Sequence, residues 1–193
     1  FRGNLRARLI AAREALPAAE HARLSREIER HLGALLDALQ PGVLAFCWPF
    51  RAEFDARNLV AARLPRGLRA CLPVVMDSES PLEFREWTPH SEMIEDRYGI
   101  HIPARGETLR PDAILMPLNA FDAAGYRLGY GGGYFDRSLA ALSPRPRAVG
   151  VGFELARVDS IRPQAYDLPM DFIVTEAGAF EVANGRLQPK NIL

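Results

Sequence analysis

Hydrophobic residues recur at helical spacing through the first forty positions of the chain. The repeating apolar positions, on either side of a break at Pro17, are Leu5, Leu9, Ala12, Leu24, Ile28, Leu32 and Leu35. This spacing places them on one face of a helix, and arginines and glutamates fill the other face. The pattern over residues 4–39 therefore predicts two amphipathic helices, or one long helix broken near Pro17.

Short, continuous apolar runs follow through the rest of the chain. They cover residues 43–48, 70–75, 113–116, 148–153 and 172–174, and runs of this length are typical of strands buried on both faces. Helical stretches at 55–64 and 134–142 lie between them. Residues 82–87 instead alternate between apolar and polar, which predicts an edge strand with one face in water.

The alternation of buried strands and helices predicts a three-layer α/β/α fold with a mostly parallel sheet. No repeat, low-complexity segment or linker divides the chain, so we expect residues 1–193 to form a single domain. In such sheets ligands bind where loops leave the carboxyl ends of strands. The segments to inspect for chemistry are those just after Trp48, Val75, Met116, Phe153 and Val174.

The charge balance narrows the classes of partner. Lys and Arg total 24 and Asp and Glu total 24, so the basic excess of a nucleic-acid-binding or membrane-surface protein is missing. Cys47 and Cys71 lie in apolar runs without a CxxC or Cys/His cluster, which disfavours a zinc site or a disulfide framework. No apolar stretch approaches the ~20 residues of a membrane helix. We expect a cytoplasmic monomer that binds a small molecule, with no nucleic acid or membrane as partner.

The most unusual stretch is rich in glycine and runs from a strand towards a helix. Four glycines fall between positions 129 and 133, just after Arg127. Glycine lets backbone N–H groups approach a phosphate closely, and the helix N-terminus adds partial positive charge. Both the G-x-x-x-x-G-K-S/T and the G-x-G-x-x-G fingerprints are absent, the latter because Tyr134 stands at its last glycine. The stretch predicts a phosphate-binding loop rather than a flexible connection, and it does not name the nucleotide.

Asp136 follows the glycines in the first turn of the predicted helix. A carboxylate there is stabilised by the helix dipole, by about 0.3–1 kcal/mol. Beside a polyphosphate it also suits Mg²⁺, which takes one or two carboxylates together with phosphate oxygens. Residue type alone favours the first interpretation. The four histidines have no metal-ligand spacing, so we assign them no chemistry; they are His21, His31, His90 and His101.

The run from Pro117 to Asp122, continued by Gly-Tyr-Arg-Leu-Gly-Tyr-Gly-Gly-Gly-Tyr-Phe-Asp-Arg at 125–137, closely resembles the signature of the 5-formyltetrahydrofolate cyclo-ligases (methenyltetrahydrofolate synthetases). Weaker matches in the same order extend the resemblance over nearly the whole chain. They are residues 2–6, Trp48 with Glu53, residues 72–75, residues 98–100 before Pro103, and Asp167 with Asp171.

The resemblance implies that ATP and Mg²⁺ serve as cofactors in converting 5-formyltetrahydrofolate into 5,10-methenyltetrahydrofolate, ADP and phosphate. The formyl oxygen would take the γ-phosphoryl group and become a good leaving group, and N10 of the folate would then close the ring. Phosphoryl transfer depends chiefly on positioning and charge stabilisation. Glycines, arginines and carboxylates suit that demand.

By position, the resemblance assigns two segments to ATP. They are Arg2, Gly3, Asn4, Leu5 and Arg6 at the N-terminus, and Arg127, Leu128, Gly129, Tyr130, Gly131, Gly132, Gly133, Tyr134 and Phe135 in the glycine-rich loop. Arg127 is the candidate catalytic residue, which stabilises charge on the transferred phosphoryl group. Some family members carry lysine at the position of Gly132. Here Arg127 or Arg6 compensates for it, or backbone and metal hold the γ-phosphate.

The resemblance also implies a folate pocket and two metal ligands. The substrate-binding residues are Arg6, Trp48, Glu53, Tyr130, Gly131, Gly132, Gly133 and Tyr134. Trp48 would form a wall for the pterin, and Glu53 would accept hydrogen bonds from its ring N–H groups. The Mg²⁺ ligands are Asp136 and Asp167. Taken alone, Trp48 also fits a partly buried core residue and Glu53 a residue at a helix start.

Two other functions stay open. One is a non-catalytic folate-binding or sequestering module on the same fold, which the missing lysine at position 132 leaves possible. The presence of Arg127, Asp136 and Asp167 argues against such a decayed site. The other is a sugar-phosphate or acyl-transfer enzyme on a similar scaffold, which would rest on fold analogy alone.

Overall fold

Two helices occupy the start of the chain in a computed structural model that describes residues 1–192. Helix α1 covers Arg2–Glu14 and α2 covers Ala18–Leu39, so the hydrophobic period is confirmed and the break falls at the proline. Pro17 is the N-cap of α2, and its missing N–H and its ring would disrupt a helix that continued from α1. The apolar face of α2 is buried, each large side chain contributing roughly 1.5–3 kcal/mol; its core residues are Leu24, Ile28, Leu32, Leu35 and Leu36.

The remaining helices are short. They are α3 (Arg57–Ala61), α4 (Tyr134–Ala141) and 3-10 turns at Leu64–Arg66 and Glu154–Ala156. The strands in chain order are Val43–Ala45 (β1), Arg69–Val74 (β2), Glu83–Trp87 (β3), Met93–Glu95 (β4), His101–Pro103 (β5), Ala113–Pro117 (β6), Ala120–Phe121 (β7), Arg127–Leu128 (β8), Arg147–Val151 (β9), Phe172–Thr175 (β10), Gly178–Ala183 (β11) and Arg186–Pro189 (β12).

Eight strands form one sheet in the order β12-β11-β10-β9-β6-β1-β2-β3. The five central strands from β10 to β2 are parallel, as their continuous apolar runs predict. Antiparallel neighbours close both sides, with β3 on β2 and β11 on β10. The predicted edge strand is confirmed, since β3 is the last strand of the sheet and only an isolated bridge to Thr108 lies beyond it among the described residues.

Helices cover both faces of this sheet. Along β6 the side chains alternate: Ala113 and Leu115 pack in the cluster that contains α2 and α3, whereas Ile114 and Met116 pack in the cluster that contains Leu139 of α4. Successive strand residues point to opposite faces, so a strand that is apolar throughout needs cover on both sides. The three-layer α/β/α architecture is confirmed. No helix among residues 1–192 is long and apolar enough to span a membrane.

The strand order fixes where a ligand can bind. From β1 the chain moves to β2 on one side, while β6, β9 and β10 extend on the other. A crevice forms at such a switch point, outside the carboxyl ends of the strands. Two small hairpins, β4–β5 and β7–β8, accompany the sheet. Their two- and three-residue strands are too short for a sequence pattern to reveal, and the sequence did not predict them.

Candidate active site

A cavity of about 530 Å³ opens at the carboxyl ends of β1, β2 and β6. Loops after these strands line it, together with the start of α1, the tip of the β4–β5 hairpin and the glycine-rich loop. The loop after Phe153 contributes only through its far end, at Gln164, Tyr166 and Asp167. No described residue after Val174 lines the cavity, because β10 turns directly into the antiparallel strand β11.

Arg127 is a buried cation at the wall of this cavity. Its residue is 8% exposed, and within residues 1–192 its Nε has no hydrogen-bond partner. The guanidinium lies over the Phe135 ring, with Cζ 5.1 Å from the centroid. Gly129 makes room for it, since a Cβ there would lie 2.7 Å from Nη1. Burial lowers the pKa of Arg127, and an anion bound in the cavity would compensate for that cost.

Arg2 and Arg6 bring two more guanidinium groups to the same cavity. They are four residues apart on α1 and so share a face of the helix. The Nε of Arg6 donates to the carbonyl oxygen of Gly129 at 2.6 Å. Burial and the charge of Arg2 both lower the pKa of Arg6. Positive charge is therefore concentrated beside the glycine-rich loop.

The glycine-rich loop packs tightly against the first residues of α4. Gly133 is the N-cap of α4 in a left-handed conformation, with φ 67°. A Cβ at Gly132 would lie 2.5 Å from Cε2 of Tyr134, so a lysine there could be accommodated only if the Tyr134 ring moved. This contact is a physical reason for glycine at position 132.

Four of the residues assigned to ATP do not line the cavity. Gly3 and Asn4 are exposed on another face of α1. Leu5 and Leu128 are buried together in a small apolar cluster with Ala120 and Ile161. The helical period turns positions 3–5 away from Arg2 and Arg6, and strand alternation turns Leu128 away from Arg127. The structure gives no support for side-chain contact between Leu5 or Leu128 and a nucleotide.

Two aspartates face the arginines. Asp167 binds Arg2 through both oxygens, at 2.6 and 3.0 Å. Burial acts to raise the pKa of Asp167, but hydrogen bonds from Arg2 and from the Gln164 N–H lower it overall. Asp136 lies in the first turn of α4, as predicted, and its Oδ1 accepts the Leu168 N–H at 3.0 Å.

These carboxylates fit a magnesium ion that arrives with a polyphosphate. Among residues 1–192 no group of three or more His, Cys, Asp or Glu side chains could hold a metal by itself. Mg²⁺ bound to a nucleotide needs only one or two carboxylates. Asp136 has its second oxygen available, since no described residue donates to Oδ2. Asp167 is occupied by Arg2, so its role as a ligand stays a prediction.

Glu53 is buried and contacts Tyr130, a residue of the glycine-rich loop. The Tyr130 hydroxyl donates to Oε1 at 2.5 Å, and the Phe50 N–H donates to Oε2 at 3.1 Å. Burial raises the pKa of Glu53, while Tyr130 and Arg13 act to lower it. A carboxylate has about four acceptor sites, so Glu53 can accept further hydrogen bonds from a ligand.

Trp48 lines the cavity near Glu53 and stacks on His101, with ring centroids 5.3 Å apart. Arg57 lies against the same indole, with Cζ 4.3 Å from its centroid. The sequence alone assigned no chemistry to His101; the unpredicted β4–β5 hairpin carries this residue to the cavity wall. The same hairpin brings Tyr98, whose hydroxyl lies 2.9 Å from that of Tyr134. The match at residues 98–100 was the available signal for this wall.

The class of this protein follows from an α/β fold whose cavity brings a glycine-rich loop and three arginines together with Asp136 and Asp167. The arrangement suits an enzyme that binds a phosphorylated ligand at the carboxyl ends of its strands. The arginines provide charge stabilisation, and the aspartates suit a divalent cation.

Comparisons with known proteins narrow this class to one family. The model of the 5-formyltetrahydrofolate cyclo-ligase family matches residues 2–176. A 5-formyltetrahydrofolate cyclo-ligase from Escherichia coli (strain K12) is 32% identical over 139 residues, which cover 68% of this chain and 76% of that protein. One from Haemophilus influenzae is 25% identical over 176 residues, 88% of this chain and 94% of that protein.

A solved structure agrees with the sequence relatives. The 5,10-methenyltetrahydrofolate synthetase of Aquifex aeolicus superposes with a TM-score of 0.80 at 28% identity, covering 98% of this chain and 97% of that one. The chain belongs to the 5-formyltetrahydrofolate cyclo-ligase family and is a ligase.

Proposed function

We propose that this protein uses ATP and Mg²⁺ to convert 5-formyltetrahydrofolate into 5,10-methenyltetrahydrofolate, ADP and phosphate. The observation that carries the proposal is Arg127, a cation buried at the cavity wall whose Nε has no partner in the described chain. A permanent buried charge needs an anionic partner. The transferred phosphoryl group would be that partner.

The chemistry requires a leaving group that the substrate lacks. The formyl oxygen is an amide oxygen and leaves poorly. In the proposed reaction it takes the γ-phosphoryl group of ATP, N10 then attacks the formyl carbon, and the oxygen departs as part of phosphate. The described residues that line the cavity include no serine, threonine or lysine, and burial raises the pKa of the Cys47 thiol, which disfavours its nucleophilic thiolate form. Positioning and charge stabilisation are therefore the contribution expected of this chain.

The nucleotide side of the site combines backbone and arginines. The glycine-rich loop offers N–H groups at the start of α4, where anions are favoured. Arg6 is held against this loop through Gly129, and Arg127 lies beside it. In the proposal Arg6 binds phosphate oxygens, and Arg127 stabilises the charge that develops during transfer.

The two aspartates would hold the metal. When bound, Mg²⁺ supplies positive charge to the phosphate oxygens of ATP. Asp136 would contribute its available oxygen. Asp167 would become a ligand only after its ion pair with Arg2 is broken, for example when the Arg2 side chain turns towards the phosphates.

The folate side of the site is formed by Trp48, Glu53 and Tyr130. Glu53 would accept the ring N–H groups of the pterin, while Trp48, which packs against His101 and Arg57, would form part of the cavity wall beside the ring. Tyr130 connects the two sides, since it belongs to the glycine-rich loop and donates to Glu53. The monomeric state and the cytoplasmic location stay predictions.

Absorbance of the methenyl product tests the proposal. The protein is mixed with 5-formyltetrahydrofolate, Mg²⁺ and ATP, and ADP is measured in parallel. We expect one ADP for each methenyl product and no product when ATP is omitted. Folate binding, followed by tryptophan fluorescence, without turnover would contradict the proposal and favour a sequestering module.

A further inference from the structure

Arg13 is a buried arginine that lies behind the cavity wall. The residue is 4% exposed and sits near the end of α1. Its Nε donates to the carbonyl oxygen of Arg51 at 2.9 Å. Nη1 donates to Oδ1 of Asn119 at 3.0 Å, and Nη2 donates to the Tyr130 hydroxyl at 3.2 Å. One guanidinium thus joins α1 to the loop after β1, the loop after β6 and the glycine-rich loop.

These contacts fix the direction of the Tyr130 hydroxyl. A guanidinium can only donate, so the Tyr130 oxygen accepts from Arg13. The single hydroxyl proton is then directed to Oε1 of Glu53, 2.5 Å away. Without Arg13 the hydroxyl would be free to accept from, or donate to, another group.

Arg13 also sets the charge environment of Glu53. Its Nη2 lies 3.9 Å from Oε1, and both side chains are buried. Tyr130 and Cys47 are the other titratable groups that interact with Glu53. Both are ordinarily neutral at pH 7. Arg13 is therefore the cation that offsets burial, which acts to raise the pKa of Glu53.

The same interaction explains part of the 117–122 motif, for which the proposed reaction gives no role. Asn119 is 1% exposed, and its Oδ1 faces Arg13. The Leu118 carbonyl oxygen also accepts from Nη1, at 3.4 Å. Leu118 and Asn119 position Arg13 rather than contact a ligand, since neither residue lines the cavity.

We propose that Arg13 is a positioning residue for the folate site, which directs the Tyr130 hydroxyl to Glu53 and favours the ionised form of Glu53, the acceptor for the pterin ring. The identity of the ligand rests on the proposed function. The effect of Arg13 on Glu53 does not rest on it. The role of Arg13 and the proposed function can therefore be refuted independently.

The first test compares Arg13→Gln with the wild type. We expect the folate KM to rise about tenfold, the size typical of losing a hydrogen bond in a charged network, with the ATP KM nearly unchanged. The rise should be larger at pH 6 than at pH 8, because the pKa of Glu53 increases. Carbon-13 NMR of labelled glutamate measures that pKa directly and needs no substrate.

Two further variants separate positioning from folding. Arg13→Lys keeps the charge but cannot reach Arg51, Asn119 and Tyr130 together. We expect a pKa of Glu53 near that of the wild type and a folate KM between those of the wild type and Arg13→Gln. Arg63→Gln is the matched control, since Arg63 donates to backbone carbonyls away from the cavity. It should lower stability and leave the pH profile unchanged.

The proposal is overturned if folded Arg13→Gln keeps the wild-type pKa of Glu53 and the wild-type folate KM at both pH values. If Arg13→Gln does not fold, a wild-type folate KM in Arg13→Lys overturns it. A wild-type protein that forms no methenyl product defeats the proposed function instead. The NMR titration of Glu53 still decides the role of Arg13 in that case.

Discussion

Replacing Arg127 with methionine should make the protein more stable and far less active. The guanidinium is buried, and its Nε lacks a partner within the described chain. Methionine keeps most of the apolar stem of Arg127 and removes the buried charge, whose guanidinium lies over the Phe135 ring. Arg127 therefore lowers stability and raises activity, as expected of a buried charge whose role is to bind an anionic ligand.

The magnitudes follow from the environment of the side chain. An unsatisfied buried donor costs about 1–3 kcal/mol, so Arg127→Met should raise the free energy of unfolding by about 1 kcal/mol. For a chain of this size that is a rise in Tm of about 2–4 °C. Loss of one donor that stabilises transition-state charge lowers kcat by about 100-fold or more. The folate KM should change little, because Glu53 and Trp48 are untouched.

Urea unfolding and the methenyl absorbance assay measure the two effects. Arg63→Met is the control: the Nε of Arg63 also lacks a partner among the described residues, but its Nη atoms donate to Gly33, Leu59 and Asp37, and it does not line the cavity. That variant should lose about 1 kcal/mol of stability with an unchanged kcat. The reasoning is refuted if Arg127→Met is destabilised as Arg63→Met is, or if it retains the wild-type kcat.

Three other substitutions probe the remaining groups. Glu53→Gln should raise the folate KM with little effect on the ATP KM, and steady-state kinetics showing the opposite pattern would move Glu53 to the nucleotide side. Asp136→Asn should raise the Mg²⁺ concentration needed for half-maximal rate, and an unchanged requirement would leave Asp136 as a helix-end residue only. The pKa of Asp167 is lowered overall despite burial, mainly by Arg2, so its contribution to stability is present above about pH 4 and lost as pH falls. Between pH 5 and pH 3, the free energy of unfolding measured in urea should fall less in Asp167→Asn than in the wild type. An equal fall in the two proteins would contradict the pairing of Asp167 with Arg2.

The sheet and the main helices could be predicted because their signal is local. Continuous apolar runs such as residues 113–116 need cover on both faces, and the spacing in α2 places its aliphatic side chains on one side. The glycine-rich loop is also a local signal, because a cluster of glycines close to Arg127 costs conformational entropy that a simple connection between a strand and a helix would not require.

The parts that could not be predicted depend on contacts between distant segments. The β4–β5 hairpin has two three-residue strands, too short for periodicity, yet it carries His101 to Trp48. Gly3 and Asn4 share a motif with Arg2 and Arg6, but only the helical period decides which of them faces the cavity.

Arg13 shows a signal that was present in the sequence and not used. It follows Leu5 and Leu9 at i+8 and i+4, a position on the apolar face of α1. A charged residue at a core position is rarely buried without partners. The position of Arg13 therefore predicts a buried polar network around it. Its partners Asn119 and Tyr130 could not be identified without the fold.

Oxygen-isotope transfer tests the central claim most directly. The protein is given 5-formyltetrahydrofolate labelled with oxygen-18 in the formyl group, together with ATP and Mg²⁺. Mass spectrometry then follows the label in the released phosphate. The account predicts one labelled oxygen in each phosphate, because the formyl oxygen takes the phosphoryl group and leaves with it. Methenyl product accompanied by unlabelled phosphate would contradict phosphorylation of the formyl oxygen.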